Sequence, residues 1–351
     1  RMYAVAVTNQ GSGFYTTGND GRVYKADYKN QANPAQIIYE NKGFPNRVLA
    51  LSKDDKYLVN ASDSSYLEVI SLTSGSKPLK VEGHTRLITD IKFLPDNVGF
   101  ISSSVDKTLR LTNAGNGQSR KLVTLPYELK SIDISPDGKR LVGVSVNGKV
   151  LMVDLATNTY KEVWTDENVV RSADSTKSIK VTNRILSVAW HPQRNMIALG
   201  VEVMNEKRNQ VLRGTVKLLD LSTSKVKELS GHKAGISDLK FSPDGLLLAS
   251  AGLDSKLQMW VIDHEEDLPI VMDNNNGSVW DIGFTPDSNY LIASCNNGEV
   301  RIWPTDTRIL AEQICPKMQR NMTQEEWDSY VGKEKEFPHE STCKSLLIKK
   351  I

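Results

Sequence analysis

A single unit recurs along this chain, and this repeat restricts the possible fold more than any other feature of the sequence. Each copy has an apolar strand, a turn often spelled Ser-Pro-Asp-Gly, a second strand ending in small residues, a tight polar turn, a third strand and a shorter fourth. The clearest copy runs from Gly231 to Ile270. Short alternating apolar runs bounded by Gly, Pro, Asp and Ser are typical of strands joined by turns. Each copy therefore predicts a small antiparallel sheet.

The copies number seven, and their first strands are separated by roughly 40 to 55 residues, the period of four-stranded propeller blades. The aligned segments are 2–28, 47–71, 87–111, 129–154, 185–220, 231–270 and 279–303. One such sheet has two apolar faces and cannot bury either alone, whereas radial stacking covers both. The sequence therefore predicts an all-β, seven-bladed propeller.

Over about residues 1 to 305 the chain resembles the WD40 family, in which a hydrogen-bonded set of His, Ser, Asp and Trp braces a blade. The sixth copy has the whole set: His232, Ser250, Asp254 and Trp260. The third copy has the first three members and Thr112 in place of the Trp: His84, Ser102 and Asp106. A catalytic triad occurs once, whereas this set repeats. We therefore interpret it as a structural brace and predict no catalytic residues.

The pattern changes after the seventh copy, which divides the chain into a propeller at 1–305 and a helical C-terminal extension at 306–351. From Asp306 the apolar residues follow a helical period. Thr323 with Glu326 three residues later forms a capping box that predicts a second short helix. The seventh copy has no obvious fourth strand, which the WD40 family often supplies from before the first blade.

The extension, from Cys315 through Arg320–Trp327 to Cys343, resembles a tail that follows WD40 propellers in many bacterial multidomain proteins. In those proteins the propeller is commonly the C-terminal module behind a signal-transducing NTPase-like or protease-like domain, sometimes with a membrane helix between them. The chain also enters a strand directly at Arg1. We therefore expect a piece of a larger bacterial protein.

Three cysteines are too few for a disulfide framework and lack metal-ligand spacing. Cys295 fits a small core residue. Cys315 and Cys343 are either joined in a disulfide that staples the tail or are two partly buried thiols. A disulfide requires an oxidising compartment, which favours the periplasmic or extracytoplasmic side, with the cytoplasm as the alternative.

Several classes of function are disfavoured. The 44 basic and 42 acidic residues give a net charge of +2, far from the basic balance that non-specific nucleic-acid binding needs. No apolar run approaches the ~20 residues of a membrane helix, so we expect no membrane contact by this segment. Phosphate-loop and calcium-loop patterns are absent from the sequence, and we predict neither cofactor nor metal.

Partner binding is the remaining class, and the rim of the channel is its expected place. The residues before the first strands form a ring with three arginines and one glutamate: Arg1, Arg47, Leu87, Glu128, Arg184, Gly235 and Ser278. This ring predicts a positive mouth suited to carboxylate-rich or phosphorylated ligands, with Tyr127 and Trp280 as aromatic anchors. The alternative is that these residues are solvated and Trp280 is core.

We therefore expect a monomeric, non-catalytic interaction or sensor module that binds a protein partner or a sister domain of its own polypeptide. One alternative is an architectural scaffold that binds through blade edges or through the polar insertion from Glu202 to Arg213, which should form a projecting hairpin or loop. A propeller enzyme would need acid, base or metal-binding side chains converging in the channel. The sequence shows no such cluster beyond the bracing residues, and His191 is expected to be solvated.

Overall fold

The computed structural model describes residues 1–41, 43–73, 75–166, 169–170, 179–205, 210–264, 268–315, 320–326 and 343. Blades one to three are formed by β1 (Met2–Val7), β2 (Gly13–Gly18), β3 (Arg22–Asp27), β4 (Gln36–Glu40), β5 (Asn46–Leu51), β6 (Tyr57–Ser62), β7 (Leu67–Ser71), β8 (Leu79–Val81), β9 (Ile88–Phe93), β10 (Gly99–Ser104), β11 (Thr108–Asn113) and β12 (Ser119–Thr124).

Blades four and five are formed by β13 (Ser131–Ile134), β14 (Arg140–Val144), β15 (Lys149–Asp154), β16 (Thr159–Thr165), β17 (Val169–Val170), β18 (Ile179–Trp190), β19 (Met196–Asn205), β20 (Gln210–Asp220) and β21 (Val226–His232). Blades six and seven are formed by β22 (Ile236–Phe241), β23 (Leu247–Gly252), β24 (Leu257–Val261), β25 (Ile270–Met272), β26 (Val279–Phe284), β27 (Tyr290–Cys295) and β28 (Val300–Pro304). A helix, α1 (Thr307–Ile314), follows blade seven.

The seven sheets are antiparallel and follow chain order. The innermost long strand of each blade contacts that of the next blade, in the series β1, β5, β9, β13, β18, β22 and β26, and β26 contacts β1. The sheets therefore stand radially around one axis. This arrangement confirms the predicted seven-bladed propeller.

The core is divided into seven apolar clusters, one between each pair of neighbouring blades in the described part of the chain. Phe100 of blade three packs between blades two and three, and Leu58 of blade two packs between blades one and two. Both are fully buried. Ile101, next to Phe100, packs between blades three and four. Because successive residues of a strand point to opposite faces, such adjacent apolar residues let a sheet be covered on both sides.

The Ser-Pro-Asp-Gly turns have a local explanation that repeats between blades. In blade six the Ser242 hydroxyl donates to Asp244 Oδ1 at 2.5 Å and accepts from the Leu247 N–H at 2.9 Å. Gly245 has a φ of +76°, a left-handed conformation that glycine adopts without steric cost. Ser135 and Asp137 form the same contact in blade four. These turns fix the register between first and second strands.

Blade seven has three strands among the described residues, β26, β27 and β28. The ring closes by packing of blade one against blade seven, where Val5, Phe14, Tyr28 and Ile292 form an apolar cluster. The Tyr28 ring lies 5.6 Å from the Tyr290 ring. Side-chain packing therefore joins the two ends of the repeat array.

Blade five departs from the other blades. Strands β18, β19 and β20 are 12, 10 and 11 residues long, and the β19–β20 ladder continues through Glu202 opposite Gly214 to Asn205 opposite Gln210. The insertion from Glu202 to Arg213 therefore forms a hairpin, one of the two predicted outcomes, with its tip outside the described residues. No helix of the described chain is long and apolar enough to cross a membrane.

The expectation that His191 is solvated is wrong, because its exposed fraction is 1%. Its ring lies between blades five and six, where Nδ1 accepts hydrogen bonds from the N–H groups of Gln193 and Arg194. Nε2 therefore carries the proton and donates to the Gly245 carbonyl at 3.2 Å.

Candidate functional site

Six of the seven blades insert one extra residue in their first strand, close to the same end of the propeller. On the Trp280 strand, Val279 pairs with Cys295 and Asp281 pairs with Ser294, so Trp280 has no partner of its own. The same register shift occurs in six blades, at Tyr3, Arg47, Thr89, Leu186, Ser237 and Trp280. Such β-bulges redirect a side chain and are frequent beside functional sites. In blade four Lys130 holds this position, since its N–H donates to the Val144 carbonyl at 2.7 Å while Ser131 pairs with the same residue.

These seven side chains line one cavity of about 880 Å³ on the propeller axis. We call the ring formed by Tyr3, Arg47, Thr89, Lys130, Leu186, Ser237 and Trp280 the mouth. The cavity extends along the first strands to Asn9, Lys53 and Pro243 in the turns at the opposite end. All seven repeats therefore contribute a side chain to one opening.

An aromatic and cationic stack occupies one side of the mouth. The Trp280 ring lies 5.8 Å from the Tyr3 ring in an edge-to-face arrangement, and the Arg47 guanidinium lies 4.2 Å from the Tyr3 ring centre. Arg47 also donates two hydrogen bonds to Asp63, at 2.8 and 2.9 Å. Trp280 remains 36% exposed, so it presents aromatic surface at the opening. The alternative of a core Trp280 therefore does not match this exposure.

The charges of the mouth differ from those expected from the sequence. Arg47 is paired with Asp63, and Arg184 Nη1 donates to Glu202 Oε2 at 3.0 Å. The cavity lining does not include Arg1, Tyr127 or Glu128. Tyr127 packs against the core between blades three and four instead.

These positions correct the expected ring, and the physical reason is the bulge. In six blades the residue directed at the mouth lies two positions after the one expected from the sequence, and in blade two the expected Arg47 is itself the mouth residue. Arg47, Arg184 and Trp280 line the cavity, and Arg1, Glu128 and Tyr127 do not.

Four cations in the mouth or in the segments that lead to the first strands are exposed and carry no ion pair within the described residues: Arg1, Arg86, Lys130 and Lys233. Lys130 belongs to the mouth, and Arg86 and Lys233 lie in the loops that lead to the first strands of blades three and six. Glu128 and Asp273, in the loops that lead to blades four and seven, carry no ion pair there either, so cations of this kind outnumber anions four to two. Leu87, next to Arg86, lines the cavity with an exposed fraction of 47%.

The channel below the mouth contains six charged groups that the sequence reasoning missed: Asp90, Asp133, Asp238, Asp281, Lys92 and Lys240. Lys92 Nζ lies 3.3 Å from Asp90, and Lys240 Nζ lies 3.1 Å from Asp238. The expectation of no cluster beyond the brace is therefore wrong. The signal was present, because Asp90-Ile91-Lys92 and Asp238-Leu239-Lys240 place both charges on one face of a first strand.

Each channel carboxylate joins its blade to the next. Asp90 Oδ2 accepts from the Ile132 N–H at 2.9 Å, and Asp133 Oδ2 accepts from the Trp190 N–H at 2.7 Å. Likewise, the N–H groups of Ile282 and Val5 donate to Asp238 at 3.2 Å and to Asp281 at 2.8 Å. Since backbone donors occupy these oxygens, the cluster acts first as an inter-blade connection.

The pKa values of the channel aspartates reflect the excess of carboxylates over ammonium groups in the channel. Burial raises the pKa of Asp281 well above its usual range, and the neighbouring Asp238 charge adds to this effect. Burial also disfavours ionisation of Asp238, but the Lys240 and Lys92 ammonium groups and the hydrogen bonds with Asp281 and the Ile282 N–H together outweigh it and lower the pKa of Asp238. Burial raises the pKa of Asp133 as well. The pair Asp238 and Asp281 therefore holds a proton more readily than separate carboxylates would.

The His, Ser and Asp members of the predicted brace come together in both blades. In blade six, His232 Nδ1 lies 3.0 Å from Asp254 and Nε2 lies 2.7 Å from the Ser250 hydroxyl. In blade three the equivalent distances, from His84 to Asp106 and to Ser102, are 3.0 and 2.9 Å. Because a carboxylate only accepts, Nδ1–H donates to Asp and Nε2 accepts from Ser.

The brace residues are buried away from the channel lining. Trp260 is packed between blades five and six. Burial opposes ionisation of Asp106, but hydrogen bonds from Thr108, the Thr85 N–H and His84 lower its pKa to about 2. The His, Ser and Asp side chains are one another's hydrogen-bond partners, which is consistent with a structural role.

The family model described as "WD domain, G-beta repeat" matches residues 75–113, 223–261 and 269–304. The first two matches contain the two His-Ser-Asp sets. The chain is a seven-bladed β-propeller with WD40 repeats.

Curated relatives of this propeller include three eukaryotic proteins. It is 24% identical over 223 residues to pre-mRNA-processing factor 19 homolog 2 of Arabidopsis thaliana, covering 62% of this chain and 38% of the relative. It is 22% identical over 255 residues to transcription initiation factor TFIID subunit 5 of Caenorhabditis elegans, covering 73% and 36%. It is 23% identical over 215 residues to the human serine-threonine kinase receptor-associated protein, covering 61% and 54%. The chain thus spans 36% to 54% of these relatives' lengths.

The extension that follows the propeller is held by local contacts. A disulfide joins Cys315 and Cys343, whose Cα atoms are 5.4 Å apart. Asn321 donates to the Cys343 carbonyl and accepts from its N–H, both at 2.9 Å. Thr323 and Glu326 exchange the two hydrogen bonds of the capping box. The residues after Glu326 that carry the rest of the second predicted helix lie outside the described residues.

Metal binding has no support in the described part of the propeller, where no group of three or more His, Cys, Asp or Glu could hold an ion. The channel carboxylates are therefore not arranged as a metal centre.

Proposed function

We propose that this propeller is a non-catalytic protein-interaction module that binds a partner protein, or a sister domain of its own polypeptide, at the mouth. One observation carries the proposal: every blade contributes a side chain to the same opening, six of them through a β-bulge. A bulge interrupts strand pairing. Its recurrence at one position in six blades is explained if the bulged side chains serve a common binding surface, the mouth. The exposed Trp280 and Leu87 supply the apolar contact area of a binding surface.

The wider context of the module is part of the proposal. The resemblance of the 315–343 tail supports a C-terminal module in a larger bacterial protein with a signal-transducing domain, and the disulfide supports an extracytoplasmic location. The relatives named above are eukaryotic, so the bacterial context rests on the tail alone. The division into a propeller at 1–305 and an extension at 306–351 belongs to the same proposal.

An architectural scaffold that binds through a blade edge is the second candidate. The observation that favours it is the outer edge of blade six, where Leu268, two residues ahead of the outer strand β25, and Ile270, the first residue of that strand, are 93% and 50% exposed. A channel enzyme has less support, because backbone N–H groups of the next blade already occupy the carboxylates Asp90, Asp133, Asp238 and Asp281.

Site-specific photo-crosslinking distinguishes the mouth from the edge. Benzoylphenylalanine is introduced at Leu87, in the mouth face, or at Leu268, on the blade-six edge, and the full chain is irradiated in cells of its source organism. The proposal expects a defined adduct from position 87 that disappears when Lys130→Glu is added and persists when Lys121→Glu is added. Lys121 is an exposed lysine on the outer strand of blade three and serves as the matched control. A defined adduct from position 268 and none from position 87 would show that the partner binds the blade-six edge and not the mouth.

A further inference from the structure

We propose that the occupant of the mouth is an extended acidic peptide segment with one aromatic or aliphatic anchor residue. The carboxylates contact the cations of blades three, four and six, and the anchor packs against Trp280 and Tyr3. This inference rests on the proposed function and adds the chemistry of the partner.

Among the described residues of the mouth and of the segments that lead to the first strands, cations without an ion pair, including Arg1, outnumber anions without one, Glu128 and Asp273, and lie on separate blades. Arg86, Lys130 and Lys233 are exposed and have no ion pair within the described residues. Arg47 and Arg184 are held by Asp63 and Glu202. Their guanidinium groups are therefore already paired with carboxylates of the protein.

The distribution of these cations favours several carboxylates over one phosphate group. A phosphate concentrates its charge on one site, and its strong recognition uses clustered arginines. Here the cations lie on or directly ahead of blades one, three, four and six, so no two of them share a blade. Single charges distributed along a peptide fit this spacing.

The apolar side of the mouth lies across the ring from Lys130. Trp280 and Tyr3 belong to blades seven and one, three blades away from blade four in either direction. Their edge-to-face contact at 5.8 Å fixes the Trp280 ring, and Leu87 extends the apolar surface toward blade three. A ligand that crosses the opening therefore meets an aromatic surface at one side and a lysine at the other.

The channel below the mouth restricts how deep an acidic group can go. Four carboxylates and two ammonium groups lie there, and Asp90, Asp238 and Asp281 line the cavity. Like charges repel most strongly where water is scarce. Acidic side chains are therefore held at the rim, and the uncharged anchor is the part of the ligand that can enter the opening.

Peptide selection tests this inference without a known partner. A random peptide library displayed on phage is selected on the full-length chain, and the recovered peptides are synthesised and measured by fluorescence anisotropy. The inference expects enrichment of Asp and Glu together with one aromatic or large aliphatic residue. Lys130→Glu should weaken binding roughly tenfold, as reversal of a desolvated rim charge does, and Trp280→Ala should weaken it similarly. Lys121→Glu should leave it unchanged.

Salt and peptide variants complete the test. Binding should weaken strongly at about 1 M salt, where the Debye length is about 3 Å, and replacement of the acidic residues by Gln or Asn should abolish it. A phosphoserine peptide of equal net charge should bind less tightly than the acidic peptide.

The possible failures separate the two proposals. If the selected peptides are neutral or basic and their binding is lost with Trp280→Ala, the proposal of an acidic partner is overturned and the proposal that the mouth is the binding site is retained. Preference for the phosphoserine peptide also overturns the acidic partner. Peptides that are insensitive to every mouth substitution, or recovery of no specific peptide, overturn both.

Discussion

The carboxylate of Asp281 in blade seven accepts a hydrogen bond from the Val5 N–H of blade one at 2.8 Å. These residues are 276 positions apart in the sequence, and their contact lies where the ring closes. Three further channel carboxylates make the equivalent connection between other neighbouring blades. The polar channel therefore joins the blades on the inside, while the apolar clusters join them along their faces.

Removal of the closing carboxylate should destabilise the propeller. Asp281→Ala leaves the Val5 N–H buried without its acceptor, and an unpaired buried donor costs about 1–3 kcal/mol. Asp281→Asn retains an acceptor oxygen, and because the pKa of Asp281 is already raised, the uncharged amide should cost less. Urea unfolding of both variants measures the difference, with exposed Asp273→Ala as control. Equal stability of Asp281→Ala and the unmodified chain would contradict this role.

The blade-six brace should behave as one unit. Ser250→Ala removes the partner of His232 Nε2, and His232→Ala removes the partner of both Ser250 and Asp254. Each change should lower the free energy of unfolding by about 1–3 kcal/mol. The double variant should lose less than the sum of the two, because contacting residues couple. Strict additivity in urea unfolding experiments would show that the three residues do not form a connected set.

The stability of the propeller should fall in mild acid, and His191 should be one cause. Burial lowers the pKa of His191, and the nearby positive charge of Arg194 lowers it further. The unfolded imidazole has a pKa of about 6.5, so below that pH the unfolded chain binds a proton that the folded chain resists. Stability is therefore lost as pH falls from 6.5 toward the lower folded pKa.

The measurement for His191 is the difference in unfolding free energy between pH 7.5 and pH 5, both about one unit or more from the unfolded imidazole pKa of about 6.5. His191→Gln should reduce this difference, and His264→Gln, which changes an exposed imidazole, should leave it unchanged. The same pH dependence in His191→Gln and the unmodified chain would rule out the effect.

The reactivity of the cysteines should differ between the tail and the propeller. Under native, non-reducing conditions no cysteine should react with a maleimide, because Cys315 and Cys343 are joined and Cys295 is fully buried. After mild reduction two labels should be added, both in the tail. The disulfide spans 28 positions, and a loop of that size is worth roughly 3–4 kcal/mol by chain entropy, so the tail should become more susceptible to proteolysis while the blades stay folded. Two labels without reductant would contradict the disulfide in solution.

The sequence predicts the blades well because their signals are local. The Ser242–Gly245 turn places its Ser, Asp and Gly where the turn needs them, and the His-Ser-Asp offsets repeat because each blade has the same geometry. The hairpin of blade five was predicted as one of two outcomes from its polar composition and was observed in the β19–β20 ladder.

The mouth was harder to predict because it depends on register. A β-bulge changes the face of every residue before it, and this shifted the expected ring toward Arg1 and Glu128 and away from Tyr3 and Lys130. The sequence did contain a signal of the bulge. Ile236 and Leu239 are both buried and lie three positions apart, whereas residues on one face of a regular strand are an even number of positions apart. The channel cluster was missed for another reason: its members come from four blades, and their proximity exists only after the ring closes.

The affinity of the partner for mouth variants tests the central claim most directly. Once a partner is trapped by the crosslinker at position 87, its dissociation constant is measured with the unmodified chain, with Trp280→Ala and Lys130→Glu, and with the controls Leu268→Ser and Lys121→Glu. The mouth account predicts roughly tenfold or greater weakening by each mouth substitution, as loss of a central aromatic anchor or reversal of a rim charge produces, and no change in the controls. Weakening by Leu268→Ser with unchanged affinity of both mouth variants would contradict it.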